Sequence, residues 1–485
     1  MKNKVFYLLL AFLVLDTVFS FIQYKHLPLD GDMAGLILPS PWYEQVLKDP
    51  FAISVLTNGE EYAATNRFFA HYTMAGYFKT MPFFLQLFTT PVNSLYLSSA
   101  IAKILMHLFM VWLLASYIVA ALNLKKRYLV LAAALVVPFF QGSHFYGQIG
   151  LIDRSVTYAF FYILPISLLL LYFLPFFKSF VTHQPVSFSF LQKIAWALLA
   201  VYLSLHGPLV PAIVLLICPM VLLYAWWQNL QNQANVKGFI VKSWRAIWAI
   251  QGPVLFYFGW ILALSLYSYY VGRFNAESAG ANDITLANRY ALLPKGLAHH
   301  FISKAAALIF FLLFLNYFLT RGVKQHYSAT AKLLAKMAVW AAVFAGLYLL
   351  LLPLGGYRPY RPLIVRYDTF IPVTICLVFL VGVSTAFVLT RLQLRQRGIY
   401  IATIVAILGI FTITDDTFTD DAYRCEKDAL RTIAASDKDI VELKASCWIM
   451  AWSTYGSPGE SEINSRMLQY WNVTQDKKLY YHKPD

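Results

Sequence analysis

The sequence predicts an all-α polytopic membrane protein with about 11 transmembrane helices, and three observations carry that prediction. Of the 485 residues, 59% are hydrophobic and only 13% are charged, against roughly 25% charged in an ordinary soluble domain. Mean hydropathy is +0.58. Between the long apolar runs, segments 123–127, 178–193, 228–246, 321–336 and 391–397 carry Lys and Arg and no Asp or Glu. The acids gather in the alternate gaps and in the tail, apart from Asp16 inside an apolar run. Lys and Arg near span ends stay cytoplasmic, so the alternation predicts a cytoplasmic N-terminus and an extracytoplasmic C-terminus. The net charge of +15 then reflects anchors beside anionic lipid. No nucleic-acid partner is expected.

A spanning helix needs ~20 mostly apolar residues. The candidates are 5–23, 97–122, 128–141, 155–177, 194–207, 209–227, 247–271, 304–320, 337–353, 369–390 and 398–413. The runs at 128–141 and 194–207 are short, which predicts tilted, broken or re-entrant segments. The opening MKNK followed by FYLLLAFLVL resembles a signal peptide. Asp16 and the lack of a small-residue cleavage site make it a retained first span instead. Asp16 itself is expected to be a hydrogen-bonded helix-packing residue.

Outside lie a large first loop (24–96), loops 142–154, 272–303 and 354–368, and the tail. The aromatic stretch 66–88, punctuated by Pro82 and then Pro91, predicts helices lying in the interface. Two domains result: residues 1–413 in the membrane, and 414–485 as a small α/β or helical extracytoplasmic cap. Cys218 and Cys376 lie in apolar runs and read as packing residues. Cys425 and Cys447 share the outer tail, where a disulfide is plausible in an oxidising compartment. Asn472-Val473-Thr474 is a glycosylation sequon, which matters only in a secretory-pathway membrane.

The sharpest local signal is Leu29-Asp30-Gly31-Asp32-Met33, just beyond the first span. Two carboxylates flanking a glycine can hold a divalent cation such as Mg or Mn. Alternatively one acts as general base while its neighbour raises its pKa. The bland reading is a solvated Asp-Gly turn. Arg67 and His71 are four apart and share a helical face suited to phosphate, or to interfacial anchoring. Lys103 and His107 repeat that spacing inside the second span, where ionisable groups face a bundle or cavity. Asp153-Arg154 is either a structural ion pair or part of the same cavity, and His206, before Pro208, is either a cap or a lining residue.

In loop 354–368, Arg358, Arg361 and Arg366 occur among Tyr357, Tyr360 and Tyr367, on the face where the positive-inside rule disfavours them. Guanidinium forks match phosphate oxygens bidentately; the alternative is a set of salt bridges to neighbouring acids. There is no P-loop or Rossmann glycine fingerprint, no HExxH, no CxxC and no GxSxG elbow. Nucleotide cradling, zinc hydrolysis and serine hydrolysis therefore have no motif.

A retained first span, an outer loop that opens on Asp30-Gly31-Asp32 and continues through interfacial helices, many further spans and a small outer C-terminal domain together resemble the GT-C superfamily of integral membrane glycosyltransferases. The resemblance covers residues 1–412 as architecture. It implies transfer of a sugar, usually with inversion, from a polyprenyl-phosphate carrier to a glycan, lipid or protein acceptor at the outer or lumenal membrane face. It also implies that Asp30 or Asp32 supplies the base or metal contact. No diagnostic motif of a mannosyl- or aminoarabinose-transferring branch is present. Competing readings are a polymerase or ligase of lipid-linked glycans, and a non-enzymatic transporter or scaffold of the cell envelope. Lys-rich internal loops and an uncleaved first span fit a multi-pass bacterial inner (plasma) membrane protein with a periplasmic C-terminus.

Overall fold

The computed structural model describes residues 1–140, 151–233, 238–278, 284–301, 304–321, 328–357, 363–392, 395–413 and 420–483. Seven helices are long and apolar enough to cross a membrane: Asn3–Lys25, Pro91–Ala121, Val156–Thr182, Leu209–Gln231, Gly252–Gly272, Ala329–Gly355 and Tyr367–Arg391. Three shorter apolar helices, Phe190–Ser204, Ala306–Arg321 and Arg397–Ile413, accompany them. The chain is a multi-pass helical membrane protein. Leu8, Leu15, Leu198, Leu223, Phe314 and Val405 stay exposed on the helix flanks, where a soluble fold would bury them.

The expected run at 128–141 is broken. Helix Leu129–Val136 is flanked by 3-10 turns at Lys126–Tyr128 and Val137–Phe139. Pro138 has no N–H to continue the ladder, so the helix stops there. It nevertheless fills the middle of the bundle, wedged between Pro91–Ala121 and Tyr367–Arg391. Those two are the most enclosed long helices, whereas only 11% of the first span is buried. Gly382 makes the close approach possible: a Cβ there would lie 2.6 Å from Ile118 Cδ1 and 2.8 Å from Val136 Cγ1.

Asp16 is buried on the inner side of the first span; Ser20 Oγ donates to its backbone carbonyl (2.7 Å), and its Oδ2 has no partner among the described residues.

Loop one is a folded layer across one end of the bundle. It contains the helices Met33–Ile37, Pro41–Lys48, Ile53–Asn58, Phe68–Phe78 and Met81–Gln86. Ala70, Met74 and Phe78 turn inward, while Trp42, Tyr72, Phe84 and Phe88 remain exposed. The layer is pinned internally by Asp49, which accepts from Ile53 N (2.8 Å), Ser54 N and Oγ, and the Tyr62 hydroxyl.

Residues 420–483 form the cap. Helices Asp420–Ala435 and Glu462–Tyr470 accompany a parallel strand pair, β1 (Ile440–Leu443) and β2 (Leu479–His482), with Val441 opposite Tyr480. Cys425 and Cys447 are joined as a disulfide. The cap shares one apolar core with the bundle and loop one. Trp471 Nε1 donates to Phe78 O (3.0 Å) and Gln86 Nε2 to Trp471 O (2.8 Å). Buried Glu426 is the strongest tie. It accepts from Leu29 N (2.8 Å), Tyr96 OH (2.9 Å) and Met450 N (2.9 Å), linking loop one, the second span and the cap.

Candidate functional site

The third of the long apolar helices, Val156–Thr182, organises the end of the bundle that loop one covers. Ser155 caps it, accepting from Tyr158 N (3.3 Å), and residues Ala159–Ile163 form a π-helical turn. Such insertions disturb the normal carbonyl pairing and recur at functional sites. Here the Phe160 carbonyl accepts from His206 Nε2 at 3.0 Å, and the Phe161 ring meets His71 edge-on at 5.1 Å.

Asp30 docks on the start of this helix. Oδ2 accepts from Ser155 Oγ (3.0 Å) and Thr157 N (3.0 Å), and Oδ1 accepts from Thr157 Oγ1 (2.7 Å) and Asp32 N (3.1 Å). A carboxylate offers about four lone-pair sites, so all are used, and the residue is 5% exposed. On that geometry Asp30 is a positioning residue that fastens loop one to the third of the long apolar helices.

Asp32 is the more exposed member of the pair. It is half-buried and its Oδ1 accepts from Trp452 Nε1 of the cap at 3.0 Å. Gly31 between them is a close-contact position: a Cβ would lie 2.7 Å from Ala451 C and from Trp452 N and Cδ1. The glycine therefore allows the cap to sit directly on the acidic turn. No cluster of three or more His, Cys, Asp or Glu at metal-binding spacing occurs among the described residues.

On one side of this turn lies a cluster of alternating charges. Buried Lys103 donates to the Arg154 carbonyl. Half-buried Asp153 accepts from Ser155 N (2.7 Å). Burial pushes the Asp153 carboxyl up; the Ser155 hydrogen bond and the Lys103 charge oppose that, and Asp368 and Asp30 reinforce it. Asp153 thus holds a proton more readily than an ordinary carboxyl, a property concentrated at functional sites. Arg154 is exposed.

Arg366 reaches this cluster through Asp368, to which it is forked: Nε–Oδ1 and Nη2–Oδ2 are each 3.0 Å. The expected phosphate grip by Arg366 is corrected to an intrasegment ion pair, since two of its donors already face a carboxylate. Arg358 and Arg361 lie outside the described residues.

On the other side, Arg67 Nη1 pairs with Glu277 Oε2 at 2.8 Å, with both side chains largely buried. Tyr43 OH donates to Glu277 Oε1 (3.0 Å), and its ring lies 5.0 Å from that of His71. Burial foremost, then the Glu277 and Asp32 charges against Arg67, raise the Tyr43 phenol, so Asp32 is within electrostatic reach of this group. Burial lowers His71 to about 3, with Arg67 and His206 adding to the effect and Glu277 opposing it. His206 falls to about 4, again by burial, countered by its bond to the Phe160 carbonyl. Both imidazoles are neutral at pH 7. A carbonyl can only accept, so His206 carries its proton on Nε2; its Nδ1 and both His71 nitrogens are buried without partners among the described residues.

His107 lies one turn below Lys103, with Nδ1 3.0 Å from the Tyr24 hydroxyl and its ring stacked on Phe140 at 4.9 Å. It belongs to the polar packing beneath the site rather than to its lining. Sequence reasoning missed Tyr43, Trp452 and Glu426. A signal existed for Glu426: it falls with Tyr423, Leu430 and Ile433 on the apolar stripe of its helix, where an acid needs buried partners.

No protein-family model matches the chain, and no curated protein matches it.

Proposed function

We propose that the protein is an integral membrane glycosyltransferase of the GT-C type. It would move a sugar from a polyprenyl-phosphate carrier to an acceptor at the outer face of a bacterial inner membrane. In this reading the seven long and three shorter apolar helices, with the broken segment around Leu129–Val136, make about eleven passes. The N-terminus is cytoplasmic and the cap periplasmic. One observation carries the reading: groups far apart in sequence — Asp32, Arg67, Asp153, Arg154, Glu277 and the Arg366–Asp368 pair — collect at one end of the bundle, on Asp30 and under the cap.

In the transfer, the acceptor hydroxyl attacks the anomeric carbon, the bond from that carbon to the phosphate oxygen breaks, and polyprenyl phosphate departs. The hydroxyl proton passes to a carboxylate, for which Asp32 is the more exposed member of the acidic pair and Asp153 has the raised affinity for protons. Exposed Arg154 supplies positive charge for the departing phosphate.

The test is a reconstituted transfer assay with a labelled polyprenyl-phosphate sugar. Asp32→Asn is expected to lower the rate by on the order of 10²–10⁴-fold with unchanged folding, and undiminished transfer would remove Asp32 from the chemistry. Chelation by EDTA in the same assay separates metal-assisted from metal-free transfer.

A further inference from the structure

The cap carries two exposed indoles, and that of Trp452 lies against the acidic turn. Trp448 is 55% exposed and Trp452 50%, although Ile449, Met450 and Ala451 between them are buried. The segment carrying them is held at nearly every residue. Cys447 is disulfide-bonded to Cys425, and its carbonyl lies 3.0 Å from His482 Nε2. The Ile449 carbonyl accepts from Tyr480 OH (3.1 Å) and Asn464 Nδ2 (3.3 Å). Met450 takes a left-handed backbone (φ 47°), held by Glu426 at its N–H and Asn464 at its carbonyl. A non-glycine residue holds that conformation only when its surroundings over-determine it. Trp452 is fixed further by its N–H on Asp32.

A lipid anchor would need neither this rigidity nor a bond to the site carboxylate, and it would sit within a continuous apolar patch. These indoles instead stand among exposed Lys444, Ser446, Ser453 and Thr454. Rigid aromatic faces bordered by hydroxyls and a carboxylate offer large contact area at little entropic loss. That chemistry suits the flat C–H face and hydroxyl rim of a pyranose.

We propose that Trp448 and Trp452 form a carbohydrate-binding platform, which seats a sugar ring of the acceptor beside Asp32. Its role as an acceptor subsite rests on the transferase reading; the binding of saccharide does not.

Full-length protein in nanodiscs, without donor, is examined by saturation-transfer NMR with maltohexaose, cellohexaose and chitohexaose as probes. Saturation transfer to at least one probe is expected. Trp448→Ala and Trp452→Ala should each weaken it about tenfold, and Trp452→Phe, which keeps a ring, less. No transfer to any probe, or equal transfer in wild type and both alanine variants, overturns the proposal. So does fluorescence quenching by brominated nanodisc lipid that disappears in those variants, because it would place the indoles in the bilayer. Saccharide binding by a protein that proves inactive in sugar transfer would count against the transferase reading alone.

Discussion

Replacing Asp30 by Asn separates a positioning carboxylate from a chemical one. The four donors to Asp30 include two backbone N–H groups, Thr157 N on Oδ2 and Asp32 N on Oδ1. An asparagine keeps one carbonyl oxygen, so in either orientation its NH₂ faces one of those amides, donor against donor. The Ser155 and Thr157 hydroxyls can rotate to accept; a backbone N–H cannot. One buried amide is left unsatisfied, about 1–3 kcal/mol, and the remaining bonds lose their charge assistance. The expected loss is therefore roughly 2–4 kcal/mol, concentrated where loop one meets the third span. The assay is thermal unfolding in detergent micelles, combined with proteolysis of segment 24–90. Asp32→Asn serves as the control, because Asp32 is half-buried where Asp30 is almost fully enclosed. An Asp30→Asn protein as stable and protease-resistant as wild type would refute the reasoning and return Asp30 to the list of candidate bases.

Gly31→Ala places a methyl 2.7 Å from Ala451 C and Trp452 N of the cap, just after Met450, which Glu426 and Asn464 hold in place. Overpacking of about 1–3 kcal/mol and faster cleavage of the cap are expected, with wild-type protease resistance as the contrary result. Burial raises the Glu426 carboxyl to about 7, against the opposing bonds from Met450, Leu29 and Tyr96, and from an ordinary value of 4.5. The folded state then binds more protons than the unfolded one between those values. Stability is greatest below about 4.5 and falls as pH rises towards 7, by on the order of 3 kcal/mol from this group. Glu426→Gln should flatten the thermal-stability profile across that window, and an unchanged profile would assign the pH dependence elsewhere.

The membrane-spanning part was legible because its signals are local. An apolar run of the right length and a basic flank can be read within twenty or so residues. Helix Phe68–Phe78 lies within the aromatic stretch 66–88 for the same reason. The short strands of the cap were illegible: IVEL and LYYH are four residues each, and their parallel pairing spans most of the tail. The site was half legible. Asp32, Asp153 and Arg67 carry chemistry-bearing groups that residue type reveals. What separates Asp30 from Asp32 is a set of donors near residue 155, some 125 positions away, which no spacing within D-G-D encodes. Arg366 shows the same limit at shorter range: phosphate and carboxylate present the same geometry to a guanidinium, and Asp368 two residues on was the nearer anion.

Lys103 offers the most direct way to ask whether the charge cluster acts on the chemistry. Its cation lowers the Asp153 carboxyl against the burial that raises it. Lys103→Gln removes that charge, keeps a donor for the Arg154 carbonyl, and should move Asp153 to a higher value. A base works in its ionised form, so with Asp153 as the titrating group the rising limb of the pH–rate profile shifts to higher pH. Lys103→Arg preserves the charge and should leave the limb in place, whatever it does to the overall rate. A folding defect lowers the whole profile without displacing it, so the limb's position isolates the electrostatic effect. A limb that stays fixed in Lys103→Gln would mean that Asp153 does not set the protonation step, leaving Asp32 as the carboxylate that must.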